Sequence, residues 1–283
     1  MQKILVILDK PKHEQIALRR ALELASKEAV QLHLVSFVYE PIQWMPFVQD
    51  PANDISARIR AERENWLESL QQDSELPDGT TSEVVWHPDI PSWILDFLED
   101  NTFAMVVKTA QKQFGKGGFG SIDWRLIESL SVPLWLAVNT HWLKRDRIVA
   151  AMDPAVSNAL HVELNHRVLK LGGTMAQALG AEFEAVACMP VPDMVADLDA
   201  FREQTGTLMG ALDKVIAESG VACKKTHFVT GKPAVEVNRV VDRNKARLIM
   251  VGRGVRKGAR GFVLGNTAER ILGRSNTDVL VVP

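Results

Sequence analysis

Ile4-Leu5-Val6-Ile7-Leu8-Asp9 and Ile148-Val149-Ala150-Ala151-Met152-Asp153 are two apolar runs, each closed by an aspartate, that begin 144 residues apart. A helical pattern and a second apolar run follow each of them, Gln31 to Val38 in the first half and Ala181 to Ala187 in the second. Gly120-Ser121 and Gly265-Asn266, 145 residues apart, precede two short terminal strands, Leu134 to Val138 and Val279 to Val282. A fixed period with matching elements signals two copies of one module. Differences between the copies therefore carry the information about function.

Strands alternate with helices in both copies. In the first, the pattern predicts a helix from about His13 to Ala29, strand Leu32 to Val38 and a charged helix from Asp54, a candidate N-cap, to about Gln72. Strand Ser82 to Trp86, a short helix Pro91 to Glu99, strand Ala104 to Val107 and helix Ser121 to Leu130 complete it. The second copy repeats the set: helices Asn158 to Leu179, about Met194 to Ser219, Pro233 to Arg243 and Asn266 to Leu272 interleave with strands Glu182 to Ala187, Lys225 to Val229 and Leu248 to Val251. This order predicts an α/β protein of two tandem open-sheet domains, residues 1–140 and 146–283, each a five-stranded parallel sheet with helices on both faces. The terminal strands 134–138 and 279–282 are expected to lie together and cover both exposed edges. In such sheets ligands settle at the carboxyl ends of the strands, where chain order reverses.

Composition sets limits. The 283 residues are 46% apolar and 24% charged, an ordinary globular balance with room for two cores. No uncharged apolar run approaches 18 residues, so no membrane span is expected, and a strand pattern directly after Met1 points to a cytoplasmic protein without a leader. The net charge of −2 conceals an asymmetry: residues 1–142 hold 13 Lys and Arg against 20 Asp and Glu, the remainder 20 against 15. The basic excess is concentrated in Arg253, Arg256, Lys257 and Arg260 of one loop, and nucleic-acid binding is not expected against the acidic balance elsewhere. Cys188 and Cys223 match no metal or redox spacing and are placed at opposite ends of neighbouring parallel strands, so a disulfide is not expected.

The loop of the second copy runs Val251-Gly252-Arg253-Gly254-Val255, then Gly258, Gly261 and Gly265-Asn266-Thr267. Glycines permit close backbone approach, and Gly265, Asn266 and Thr267 open a helix whose free amides suit an anion. Here the chain resembles the universal stress protein family, whose ATP-binding members carry Gly-x2-Gly-x9-Gly-Ser/Thr between the fourth strand and the last helix. The resemblance covers both halves and implies an adenine nucleotide alpha hydrolase-like fold in each. It implies that Met152 and Asp153 lie near base and ribose, and that Val251, Gly252, Gly254, Gly265, Asn266 and Thr267 form the rest of a site for ATP or a related nucleotide. Val255 stands where the second glycine belongs and Asn266 where the Ser or Thr belongs.

The first copy departs further. Lys108-Thr109-Ala110-Gln111 follows its fourth strand, so both early glycines are missing and only Gly120 and Ser121 remain. No nucleotide is expected there. All seven tryptophans lie in this half or at its boundary, and with Ile42, Trp44, Met45, Phe47 and Val48 they either cover sheet and interface or serve an apolar ligand such as an acyl chain. No HExxH, GxSxG or GxxxxGK[ST] signature occurs, and the seven histidines form no close ligand pair. The expectation is a non-enzymatic stress-response protein of the tandem type whose second domain takes a small anionic ligand, with its two domains paired and a further homodimer open. The alternatives are an apolar-ligand protein and a weak ATP-hydrolysing enzyme.

Overall fold

The computed structural model describes residues 2–41, 52–111, 118–138, 146–153, 159–191, 198–254 and 266–283, the side chains of 52–54 and 266 excepted. The chain forms two compact units, residues 1–109 and 110–283.

In the first unit β1 (Gln2–Ile7), β2 (Val30–Val38), β3 (Thr81–Trp86) and β4 (Met105–Thr109) form a parallel array in the order β3-β2-β1-β4. Helices α1 (Ile16–Ala25), α2 (Ala52–Asp73) and α3 (Ile90–Asp100) are the crossovers. Residues 4–8 are all buried, as a strand covered on both faces requires. Asp89 caps α3, accepting from the Ser92 amide at 3.2 Å, with Pro91 in the first turn. Two helix starts differ from the sequence pattern. α1 begins at Ile16 rather than His13 because Gln15 is left-handed, φ 43°, and its side chain folds back on the preceding loop. α2 begins at Ala52, which places Asp54 inside the helix and removes it as the cap.

The second unit opens with α4 (Ser121–Ser129) and β5 (Leu134–Ala137), then runs β6 (Arg147–Met152), α5 (Ala159–Leu179), β7 (Glu182–Met189), α6 (Leu198–Ser219), β8 (Lys225–Thr230), α7 (Pro233–Asn244), β9 (Leu248–Gly252), α8 (Asn266–Arg274) and β10 (Asp278–Val282). Five strands run parallel in the order β10-β9-β6-β7-β8. The path moves outward from β6 to β8 and then returns to β9, so right-handed crossovers put α5 and α6 on one face and α7 and α8 on the other. The packing agrees: α5 lies against α6, and α7 against α8. Gly172 lets α5 approach the sheet, since a Cβ there would fall 2.3 Å from the Phe183 ring.

β5, the last strand of the first sequence copy, pairs antiparallel with β10, Leu136 opposite Val279 and Leu134 opposite Val281. Asp278, almost fully buried, accepts from the Val138 amide at 2.8 Å and from Trp135 Nε1 at 3.3 Å. Cys188 is opposite Val229 in the β7–β8 register, whereas Cys223 precedes β8, so the two thiols sit at opposite ends of these strands and both are free. Among the described residues no helix is long and apolar enough to cross a membrane.

Candidate functional site

In the second unit the chain order reverses between β6 and β9, the place where an open parallel sheet leaves a crevice at its carboxyl ends. A cleft of about 480 Å³ lies there. Its floor is Met152 and Asp153 after β6 together with Val251 and Gly252 at the end of β9; Gly254, Thr267 and Ala268 add the loop and the first turn of α8. His161, Leu164 and Asn165 of α5, Cys188 and Met189 of β7, and Leu208 of α6 close the sides. Six of the eight sequence-predicted site residues thus share one wall. Gly265 lies outside the described residues; Asn266 begins α8. A second groove of about 650 Å³ runs along α5 past Val162, His166 and Lys170, and no strand-end residue lines it.

The wall is mostly apolar, with polar groups at chosen points. Asn165 holds Asp153 through both arms of its amide: Oδ1 accepts from the Asp153 N–H at 3.1 Å and Nδ2 donates to the Asp153 carbonyl at 2.9 Å. The Asp153 carboxylate therefore projects from a fixed backbone. His161 Nδ1 comes within 3.2 Å of Asp153 Oδ2. Gly252 has no room for a side chain, because a Cβ would lie 2.8 Å from Leu164 Cγ, while a Cβ on Gly254 would meet nothing within 4 Å. The Cys188 thiol is pushed up to about 11, first by burial and then by the Glu236 carboxylate, which keeps it neutral in the cleft wall.

Arg253 does not line the cleft. It is buried, its N–H donates to the Val282 carbonyl at 2.7 Å, and its Nη1 donates to the Ile127 carbonyl at 3.0 Å. Burial, and then the neighbouring Arg167, lower its pKa. It secures the last turn of α4 instead. Arg256, Lys257 and Arg260 lie outside the described residues.

The corresponding residues of the first copy are bonded to other groups of the protein. In the first unit Gln15 repeats the Asn165 arrangement, accepting from the Asp9 N–H at 3.0 Å and donating to the Asp9 carbonyl at 3.2 Å. Thr109, where the second copy has Gly252, donates its hydroxyl to Asp9 Oδ2 at 2.6 Å and accepts from the Ala17 amide at 3.1 Å. In the second unit, Gln111 lies against the start of α4, its carbonyl accepting from the Gly120 N–H and its own N–H bonding Asp123 Oδ2, both at 2.6 Å. Asp123 is fully buried; the second copy has Ala268 at this position. Several aromatic residues of the first unit pack on one another, Trp93 stacked on Phe97 at 4.5 Å and Phe37 edge-on to Trp93 at 5.2 Å. The loop holding Ile42, Trp44, Met45, Phe47 and Val48 lies outside the described residues.

The sequence profile of the universal stress protein family matches residues 1–137 and again 144–283. The chain belongs to the universal stress protein family. Among its relatives, Universal stress protein E of Photorhabdus laumondii is 24% identical over 297 residues, spanning 99% of this chain and 94% of that protein. The crystal structure of a universal stress protein from Archaeoglobus fulgidus DSM 4304 superposes with a TM-score of 0.66 at 16% identity, covering 99% of this chain and 97% of that one. A functionally unknown protein from Pseudomonas aeruginosa PAO1 gives 0.75 at 19% identity over 100% and 92%. The Archaeoglobus protein thus shares this fold across nearly the whole chain.

His161, Asn165 and Cys188 are cleft residues that the motif reading passed over. His161 and Asn165 are four apart, the spacing that puts two helical side chains on one face, and that signal was available.

Proposed function

We propose that this universal stress protein is a non-enzymatic, cytoplasmic stress-response protein whose second sequence copy binds ATP or a related nucleotide. One observation carries the reading: Asp153, Gly252, Gly254 and the first turn of α8 converge on a single cleft where the strand order reverses. Its apolar walls suit a flat base, and Asp153, its side chain 45% exposed, suits a sugar hydroxyl. The amides at the start of α8, beside Thr267, suit a phosphate. The first copy has a threonine in place of the glycine and carries a buried carboxylate, Asp123, at the start of its own last helix, so we assign it no nucleotide. Packing among Phe37, Trp93 and Phe97 favours sheet cover over an acyl site.

The test is thermal unfolding with and without ATP. A ligand at a hundredfold excess over its Kd adds about 2.7 kcal/mol, roughly 5 to 10 °C for a unit of this size. Asp153→Ala should cut that shift at equal ATP. No shift at millimolar ATP rules out the nucleotide reading, and steady ADP release abolished by Asp153→Ala would make the protein an enzyme instead.

A further inference from the structure

Helix α6 is buried at only one end. Its buried residues, Leu212, Val215 and Ile216, all lie in the C-terminal part, and none of residues 198–211 is buried. That N-terminal part still has a place in the cleft wall through Gln204 and Leu208, which stand one turn apart on one face. Its sequence works against a helix. Gly206 and Gly210 lie within it, and glycine is the poorest helix former after proline. Packing does not require either glycine: a Cβ on each would meet nothing within 4 Å among the described residues, whereas on α5 a Cβ at Gly173 would fall 2.7 Å from Val221 Cγ1. Thr205 and Thr207 turn their hydroxyls back on the carbonyls of Phe201 and Glu203, at 2.7 and 3.0 Å, bonds that weaken and often bend a helix.

A segment with no buried side chain and a weakened helix opens at low cost while the rest of the unit stays folded. We propose that residues 198–211 form a lid on the cleft: the helix opens around Thr205 to Gly210 to admit a ligand and re-forms over it, with Gln204 and Leu208 as the closing contacts. A ligand favours a closed state only by touching it, and these are the two side chains of α6 that line the cleft. The helical turn of 3.6 residues sets Gly206 and Gly210 on the side away from Gln204 and Leu208, so the weak points of the lid face outward and its contacts face inward. The lid rests on the cleft being the nucleotide site proposed above, and adds to that site a barrier to entry and release.

The double variant Gly206→Ala with Gly210→Ala tests it, because it strengthens the helix on its outward side and alters no residue of the cleft wall or the core. In the full-length protein, amide hydrogen exchange should be faster over residues 198–211 than over 212–219, and the double variant should slow it roughly twentyfold in the first stretch alone, the combined effect of two glycines replaced by alanine in a helix. Entry and exit both pass through the open lid, so ATP association and dissociation, followed by stopped flow, should slow by that same factor with Kd unchanged. An effect on the site itself would change Kd instead. Equal exchange in the two stretches of the wild type, or ATP rate constants that the double variant leaves untouched, overturns the lid while the nucleotide reading stands. If ATP does not bind at all, the nucleotide reading is withdrawn and the exchange comparison decides the lid by itself.

Discussion

Cys188 shows how one side chain reports on the cleft wall. Its thiol is pushed up to about 11 by burial and by Glu236, against an ordinary value near 9. The sign follows from proton counting: between about pH 9 and 11 the unfolded chain has lost this proton and the folded chain keeps it, so stability falls as pH rises through that window. Two pH units correspond to roughly 2 to 3 kcal/mol, present in full below pH 9 and lost above 11. Urea unfolding at pH 8, 9.5 and 11 should show this loss in the wild type and a shallower one in Cys188→Ala; equal slopes would mean that the thiol titrates as it does in water. Spacing in the sequence read Cys188 only as a thiol at one end of a strand, without a metal or disulfide partner. The fold around it, above all Glu236 on α7, lies 48 positions away in sequence and was not legible. Arg253 is a related case: the sequence shows a basic residue among glycines, and its bond to the Ile127 carbonyl appears only in the fold.

At the scale of elements, the first turns of α4 and α8 occupy equivalent places in the two copies and are finished differently. α4 has Asp123, fully buried and bonded to the Gln111 N–H, whereas α8 has Ala268 in the cleft wall. A carboxylate in the first turn satisfies the helix dipole and repels any second anion. Ala268→Asp should therefore convert the second copy to the first copy's state and remove the ATP-induced rise in melting temperature, while Ala268→Asn, uncharged and nearly the same size, should retain part of it. If Ala268→Asp still responds to ATP as the wild type does, the start of α8 is not where phosphate binds. The glycine spacing identified this helix because glycine tolerance is a local property. The substitution of Asp123 by Ala268 was equally visible in the sequence but gained meaning only once both residues were seen in the first turn of a helix.

Across the molecule, the sequence repeats and the compact units have different boundaries, and the cause lies in β5 and β10. The repeat period places residues 110–138 with the first copy, but β5 closes the edge of β10, Asp278 ties down Trp135 and Val138, and Arg253 reaches the Ile127 carbonyl. A fragment of residues 146–283 has every strand of the second copy yet leaves β10 with an open edge and Arg253 without that carbonyl. Open edges of this kind pair with whatever strand is available, including another copy of themselves, and a buried guanidinium that loses an acceptor is destabilising. A fragment of residues 110–283 retains both contacts. Sedimentation of the two fragments should give a monomer for 110–283 and concentration-dependent association or aggregation for 146–283. Two equally stable monomers would show that β5 contributes little, and that pairing between the terminal strands is incidental to the fold of the second copy.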